Sequence, residues 1–382
     1  MRALQPPREA GIDGVAAWER SLAEPYALWD AGIGTDKFAG SVMGRLAEGY
    51  ATPHIEPKFA LRDDDVFFCM GSCFAREIER QLGYRGYTVT SAGVRLEYAE
   101  EAQEAPNGIV NKFTTASMLN EARWSLAGDP FPDEALVLDR GGYRDLQLGN
   151  SPLPVPIERA RGRRAEMLEY FGRLRDASVV VITLGIVEVW YDRLANLYLN
   201  LAPGWEAVHR YPGRFTVHRT DYAENRERLE AVLDLLTSRG RSDLRVVVTV
   251  SPVAMHRTFA GVDVLAENGY GKSTLRAVAG DVVRDRANVE YFPAYELVTV
   301  TDRNRAHAPD QRHVTKDMAD QVARTFLNAF GIGRDDARGE FDEVEYLKAN
   351  PDVRIAVADS VFQSGYEHWT LHGRAERRPL RR

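Results

Sequence analysis

Four apolar runs that read as buried strands constrain this chain more than any other feature: VFFCM (66–70), VVVITLG (179–185), VVVTVSP (246–252) and VEYFPAYEL (289–297). A strand with one wet face alternates apolar and polar residues, whereas a continuous run is buried on both faces. Between these runs lie helical patterns at 74–82, 114–126, 164–176, 224–240 and 273–285, with a last one, KDMADQVARTFLNAF, at 316–330. Buried strands alternating with amphipathic helices predict an α/β domain with a parallel sheet of about five strands, covered on both sides to give three layers. Right-handed crossovers bring the C-terminal ends of the strands to one edge. Ligands bind at that edge.

Residues 1–64 read as an approach segment of short helices and loops. Tyr191–Arg219, rich in Trp, Tyr, His and Pro with little period, breaks the rhythm. It is either a long surface excursion or an insertion overhanging the strand ends, where it would touch substrate. GIGRDDARG (331–339) reads as a linker to a small helical module, so the expected organisation is a catalytic domain at 1–335 and a C-terminal module at 336–382. The module's Tyr346, Phe362, Tyr366 and Trp369 are expected to form its own small core rather than a ligand site.

Composition sets the exclusions. A net charge of −7 argues against nucleic acid as the main partner, and the basic runs RARGRR (159–164) and RRPLRR (377–382) read as solvated surface. Two cysteines, Cys69 and Cys73, exclude a disulfide scaffold and a four-cysteine zinc site. No run is long enough for a membrane helix and no secretory pattern opens the chain, so a cytoplasmic location is expected. The eight histidines show no metal-binding spacing, and no metal is expected.

The chemistry concentrates where the first run meets its helix, at Gly71-Ser72-Cys73. A strand ending there delivers Ser72 to the ligand edge, and the following helix aims free amides and its positive end at the same point. A nucleophile that forms an oxyanion needs this arrangement. An ordinary turn in which Ser72 caps the helix fits the same residues. A second element, Asp310-Gln311-Arg312-His313, stands just before the last helix. An aspartate three residues before a histidine can fold back, fix the tautomer and leave the other ring nitrogen as a base for Ser72.

Gly71-Ser72-Cys73-Phe74-Ala75 resembles the five-residue signature of the GSCFA family, itself similar to the SGNH (GDSL-like) hydrolases with their flavodoxin-like sheet. The resemblance runs over roughly residues 35–330. It takes in Gly108-Ile109-Val110-Asn111, Thr183-Leu184-Gly185 with Glu188-Val189-Trp190, Ser251-Pro252-Val253, Glu267 to Ser273, and Asp310 to His313. It implies Ser72 as nucleophile, His313 as base and Asp310 as the acid that orients it. SGNH enzymes carry an oxyanion-binding Asn where this chain reads Gly185-Ile186-Val187-Glu188. The oxyanion donors expected instead are the Ser72 amide, the Gly185 region and the Asn111 side chain; a structural loop cap is the rival role for Asn111.

Adjacent residues at a tight turn point different ways, so only one of Ser72 and Cys73 faces the base. The resemblance favours the serine and leaves Cys73 as a small buried filler. Glu188, Trp190 and His256, each just past a strand end, are expected substrate contacts. Gly269 to Thr274 lacks the first glycine of a phosphate loop, Ala266 standing in its place, and reads as a helix start. The function expected is serine-dependent acyl-ester chemistry on a carbohydrate or surface polysaccharide, either hydrolysis or O-acyl transfer. No metal or redox cofactor is implied, and acetyl-coenzyme A is the donor expected if the reaction is transfer. A binding module on a degenerate hydrolase scaffold is the alternative from another class.

Overall fold

The computed structural model describes residues 11–92, 106–149, 153–332, 341–358, 361–362 and 365–381. In chain order its strands are β1 (Val66–Gly71), β2 (Thr88–Val89), β3 (Leu136–Asp139), β4 (Gly142–Asp145), β5 (Val179–Leu184), β6 (Glu188–Asp192), β7 (Leu197–Leu199), β8 (Phe215–Arg219), β9 (Arg245–Val250) and β10 (Val289–Tyr291). Five of them form the central sheet in the order β2-β1-β5-β9-β10, all parallel. This is the flavodoxin-like order, with β1 and β5 flanking the point where the strand sequence reverses.

The pleat divides each apolar run between two cores. Phe68 and Met70, Val180, Ile182 and Leu184, and Val246, Val248 and Val250 face one layer. The helices Thr115–Ala122, Ile157–Gly172, Tyr222–Arg239 and Val264–Arg284 cover it. Phe67, Cys69, Val179, Val181 and Val247 face the other, under the helices Cys73–Tyr84 and Lys316–Ala329. The expected three-layer α/β fold is therefore present. Among the described residues no helix is long and apolar enough to cross a membrane.

Three local readings change. The run at 289–297 is strand only over Val289–Tyr291; beyond Pro293 the chain turns into the helix Ala294–Val300, because proline lacks the amide that would extend the ladder. The helix expected from 273 begins at Val264, capped by the Asp263 carboxylate accepting from the Leu265 amide. Gly269 to Thr274 therefore lies inside that helix. The excursion from Tyr191 onwards is a small antiparallel sheet, β7-β6-β8, with the short helix Trp205–Arg210 in its connection.

A buried ion cluster supports the edge near β1. The Lys112 ammonium meets Glu121 at 2.6 Å, and Arg164 meets Glu121 at 2.8 Å and Asp145 at 3.3 Å. The Lys112 amide in turn donates to the Gly71 carbonyl at 2.8 Å.

Most of the expected linker, and with it the 335/336 boundary, lies outside the described residues. The module beyond it holds the helices Glu343–Ala349, Pro351–Ala358 and Gly365–His368. Phe341, Tyr346, Tyr366 and Trp369 pack ring against ring, while Phe362 packs on His368 and His372. Tyr366 also reaches outward: its hydroxyl donates to the Tyr84 carbonyl at 2.8 Å, at the end of the helix that begins with Cys73.

Candidate active site

Gly71 sets the geometry of the β1 turn. Its φ is +144°, and a Cβ there would fall 2.1 Å from Thr183 Oγ1 and 2.5 Å from the Thr183 carbonyl oxygen. Only glycine lets β1 end so close to β5. The next amide, of Ser72, donates to Thr183 Oγ1 at 3.1 Å. Ser72 Oγ then accepts from the Phe74 amide at 3.4 Å, capping the helix, and the residue is 5% exposed. Cys73, the first helical residue, is half-buried.

Asp310 and His313 meet as their spacing predicted. Asp310 Oδ1 accepts from the amides of Arg312 and His313, both at 3.0 Å, and Oδ2 accepts from His313 Nδ1 at 2.5 Å. These donors hold the carboxyl well below the usual carboxylate range. Arg312 ties the loop to the sheet, its Nε donating to the Ala254 carbonyl, just past β9, at 2.9 Å. Its guanidinium also lies 3.3 Å from His313 Nε2.

No hydrogen bond from His313 to Ser72 or to Cys73 is present among the described residues; its side chain meets Asp310 and Arg312. Attraction to the Cys73 thiol is the largest influence on His313 and, with Asp310, outweighs desolvation to raise its pKa to about 9. Removing the thiol by Cys73→Ala is accordingly expected to bring the His313 pKa down from about 9 towards that of an ordinary histidine. Imidazole chemical shifts followed through a pH titration measure this, and an unchanged midpoint would refute that influence.

The other expected residues divide. Asn111 is buried beside the turn, one residue before the amide that binds Gly71, and its Oδ1 has no partner among the described residues. Gly185 lies at the end of β5, where a Cβ would come within 2.6 Å of the Phe113 carbonyl oxygen. Glu188 is not open to substrate: its carboxylate accepts from Thr258 Oγ1 at 2.6 Å and the Phe259 amide at 2.9 Å, tying β6 to the segment after β9. Trp190 packs edge-on against half-exposed Phe259 at 5.0 Å. His256 is exposed on the same segment, two residues past the carbonyl that holds Arg312.

Lys272 stands at the same strand end and was not singled out in the sequence. It is 2% exposed, and its ammonium donates to the Gly185 carbonyl at 2.8 Å. Burial pushes its pKa down to about 7, against the opposing pull of Cys73. The signal was present: Lys272, Leu275, Ala279 and Val282 share one helical stripe, and the last three are core.

Among curated proteins, none matches this chain in sequence. In structure it is loosely similar to a Clostridium thermocellum family 3 carbohydrate esterase, at 9% identity and a TM-score of 0.28, with 69% of this chain and 94% of that one covered. A similar likeness holds to LAE5, an alpha/beta hydrolase enzyme from the metagenome of Lake Arreo, Spain, at 14% identity and a TM-score of 0.28, covering 72% and 97%. The strand order, the glycine-pinned turn and the Asp310–His313 loop all fall within residues 66–326, which match the GSCFA family, and the chain belongs to that family.

Proposed function

We propose that this protein is an esterase or O-acyltransferase that attacks an acyl ester of a carbohydrate from the β1 turn, with His313 as general base and Asp310 as its orienting acid. The observation that carries this reading is the 2.5 Å pair between His313 Nδ1 and Asp310. It fixes the proton on Nδ1, and Nε2, which Arg312 faces at 3.3 Å, takes the nucleophile's proton once the imidazole, raised to about 9, is neutral. The helix Cys73–Tyr84 presents its positive end to the same place, where an oxyanion would gather charge. The dyad also favours catalysis over a binding module on a degenerate scaffold, since binding alone needs no imidazole held on a carboxylate beside a nucleophile.

His313 takes the nucleophile's proton and returns it to the leaving alkoxide. Water as the second substrate gives hydrolysis. A sugar hydroxyl gives transfer, with acetyl-coenzyme A as the acyl donor. The Trp190–Phe259 pair offers apolar ring faces of the kind that pack on sugar C–H groups. The test is release of nitrophenol from p-nitrophenyl acetate. Asp310→Asn is expected to lower turnover about a hundredfold; equal rates in both proteins would remove the dyad from the mechanism.

A further inference from the structure

We infer that the cavity between the end of β5 and the helix Val264–Arg284 is a binding site for a sugar hydroxyl, with Lys272 donating to its oxygen and Glu267 accepting from its O–H. The inference rests on the carbohydrate-ester reading above and names the part of the substrate that the fold grips beside the ester.

Gly185, Val187, Met255, Glu267 and Lys272 line this cavity, which encloses about 210 Å³. That is room for one edge of a sugar ring and too little for a coenzyme. Its polar lining is buried: Lys272 is 2% exposed and Glu267 3%. Both belong to the helix Val264–Arg284, but five positions separate them, a rise of about 7.5 Å and about 140° around the axis. They do not pair with each other. The Lys272 ammonium donates to the Gly185 carbonyl at 2.8 Å, and Glu267 Oε2 accepts from Arg219 at 3.3 Å. Among the described residues the ammonium has no other hydrogen bond or ion pair, and the buried Glu267 Oε1 has no partner.

Buried polar groups ordinarily find partners. Lys112, as deeply buried as Lys272, meets Glu121 at 2.6 Å. An ammonium with N–H groups to spare and a carboxylate oxygen with lone pairs to spare, lining one cavity, specify what complements them. An anion would be drawn to the lysine and repelled by Glu267, and a cation the reverse. A hydroxyl satisfies both, since its oxygen accepts while its O–H donates. Val187 and Met255 supply an apolar wall for the ring's C–H face. Glu188 does not compete, because its carboxylate is taken by Thr258 and the Phe259 amide.

The position suits an ester substrate. Gly185 follows Thr183 by two residues, about 7 Å along the strand direction, and Thr183 Oγ1 holds the Ser72 amide. On the other side Met255 follows Ala254, whose carbonyl anchors Arg312 next to His313. The Met255 amide is itself fixed on Asn268 Oδ1 at 3.1 Å, one residue from Glu267. A hydroxyl held here sets the sugar alongside the β1 turn and the loop of the base.

Two measurements test this, the first without any reaction. Saturation-transfer NMR follows binding of methyl glucoside, methyl galactoside, methyl mannoside and methyl xyloside to the whole protein. At least one is expected to bind. Lys272→Met, which keeps the length of the side chain and removes its donor, should weaken that binding about tenfold or more, the effect of one hydrogen bond to a charged group. Glu267→Gln, which can put a donor where the acceptor stood, should weaken it in the same direction. Lys272→Met should also melt at an equal or higher temperature, because it removes a buried charge that no carboxylate matches. Absence of binding by all four glycosides, or binding that neither substitution changes, overturns the inference.

In the second, kcat/KM is measured for a mono-O-acetylated form of the glycoside that binds and for p-nitrophenyl acetate, which carries no hydroxyl. The preference for the sugar ester is expected to fall about tenfold or more in Lys272→Met. An unchanged preference sinks the hydroxyl site while the esterase stands. Glycoside binding that both substitutions weaken, with neither ester turned over, keeps the hydroxyl site and removes the acyl-ester reading.

Discussion

His313→Ala is expected to lower turnover of an acetyl ester by about 10²–10⁴-fold, the range a positioned general base supplies. The loss should fall on chemistry and not on folding. The side chain is 46% exposed and its partner Asp310 48%, so the pair lies in the solvent-screened regime where an ion pair contributes about 1 kcal/mol or less. A half-exposed dyad can be removed without opening a cavity, and circular dichroism with a thermal melt should confirm a nearly unchanged fold. Steady-state kinetics on p-nitrophenyl acetate decides the matter. A variant keeping more than about a tenth of the wild-type rate would show that no proton moves through this imidazole.

The largest expected effect on stability lies at Gly71. Gly71→Ala places a methyl group 2.1 Å from Thr183 Oγ1 and 2.5 Å from a β5 carbonyl oxygen, neither of which can withdraw without breaking the sheet. The positive φ adds strain of its own. Together these should cost on the order of 3 kcal/mol or more, read as a lower urea midpoint or as failure to fold. Gly128→Ala separates the two causes. Gly128 has φ +80° with nothing within 4 Å of the added carbon. That substitution should show the backbone term alone, about 1–2 kcal/mol. Equal losses at the two positions would mean that the contact with Thr183 contributes nothing.

What sequence reveals here depends on how local the cause is. β1, β5 and β9 are legible because burial on both faces writes an unbroken apolar run. β6 to β8 are not, because a small sheet with one covered face leaves short alternations among turn residues, which resemble an aperiodic loop. Asp310 and His313 were legible because their hydrogen bond spans three positions of one loop. How Ser72 is held at the turn was not. It turns on the φ of Gly71 and on a threonine more than a hundred positions away, both properties of the assembled sheet. The ties of Glu188 were illegible for a similar reason: its partners, Thr258 and Phe259, belong to a distant strand end. Lys272 was hidden by habit, since a lysine in a helix is read as solvated unless its stripe is checked.

The loop that carries the base is made late. Cys73 leaves the ribosome about 240 residues ahead of His313, and β1 with its helix can dock long before Arg312 finds the Ala254 carbonyl. Through that interval the β1 turn has no Asp310–His313 loop to meet. The nascent chain thus lacks its Asp310–His313 pair until the final helix closes the domain, and recovery of activity on refolding should trail the return of helical signal.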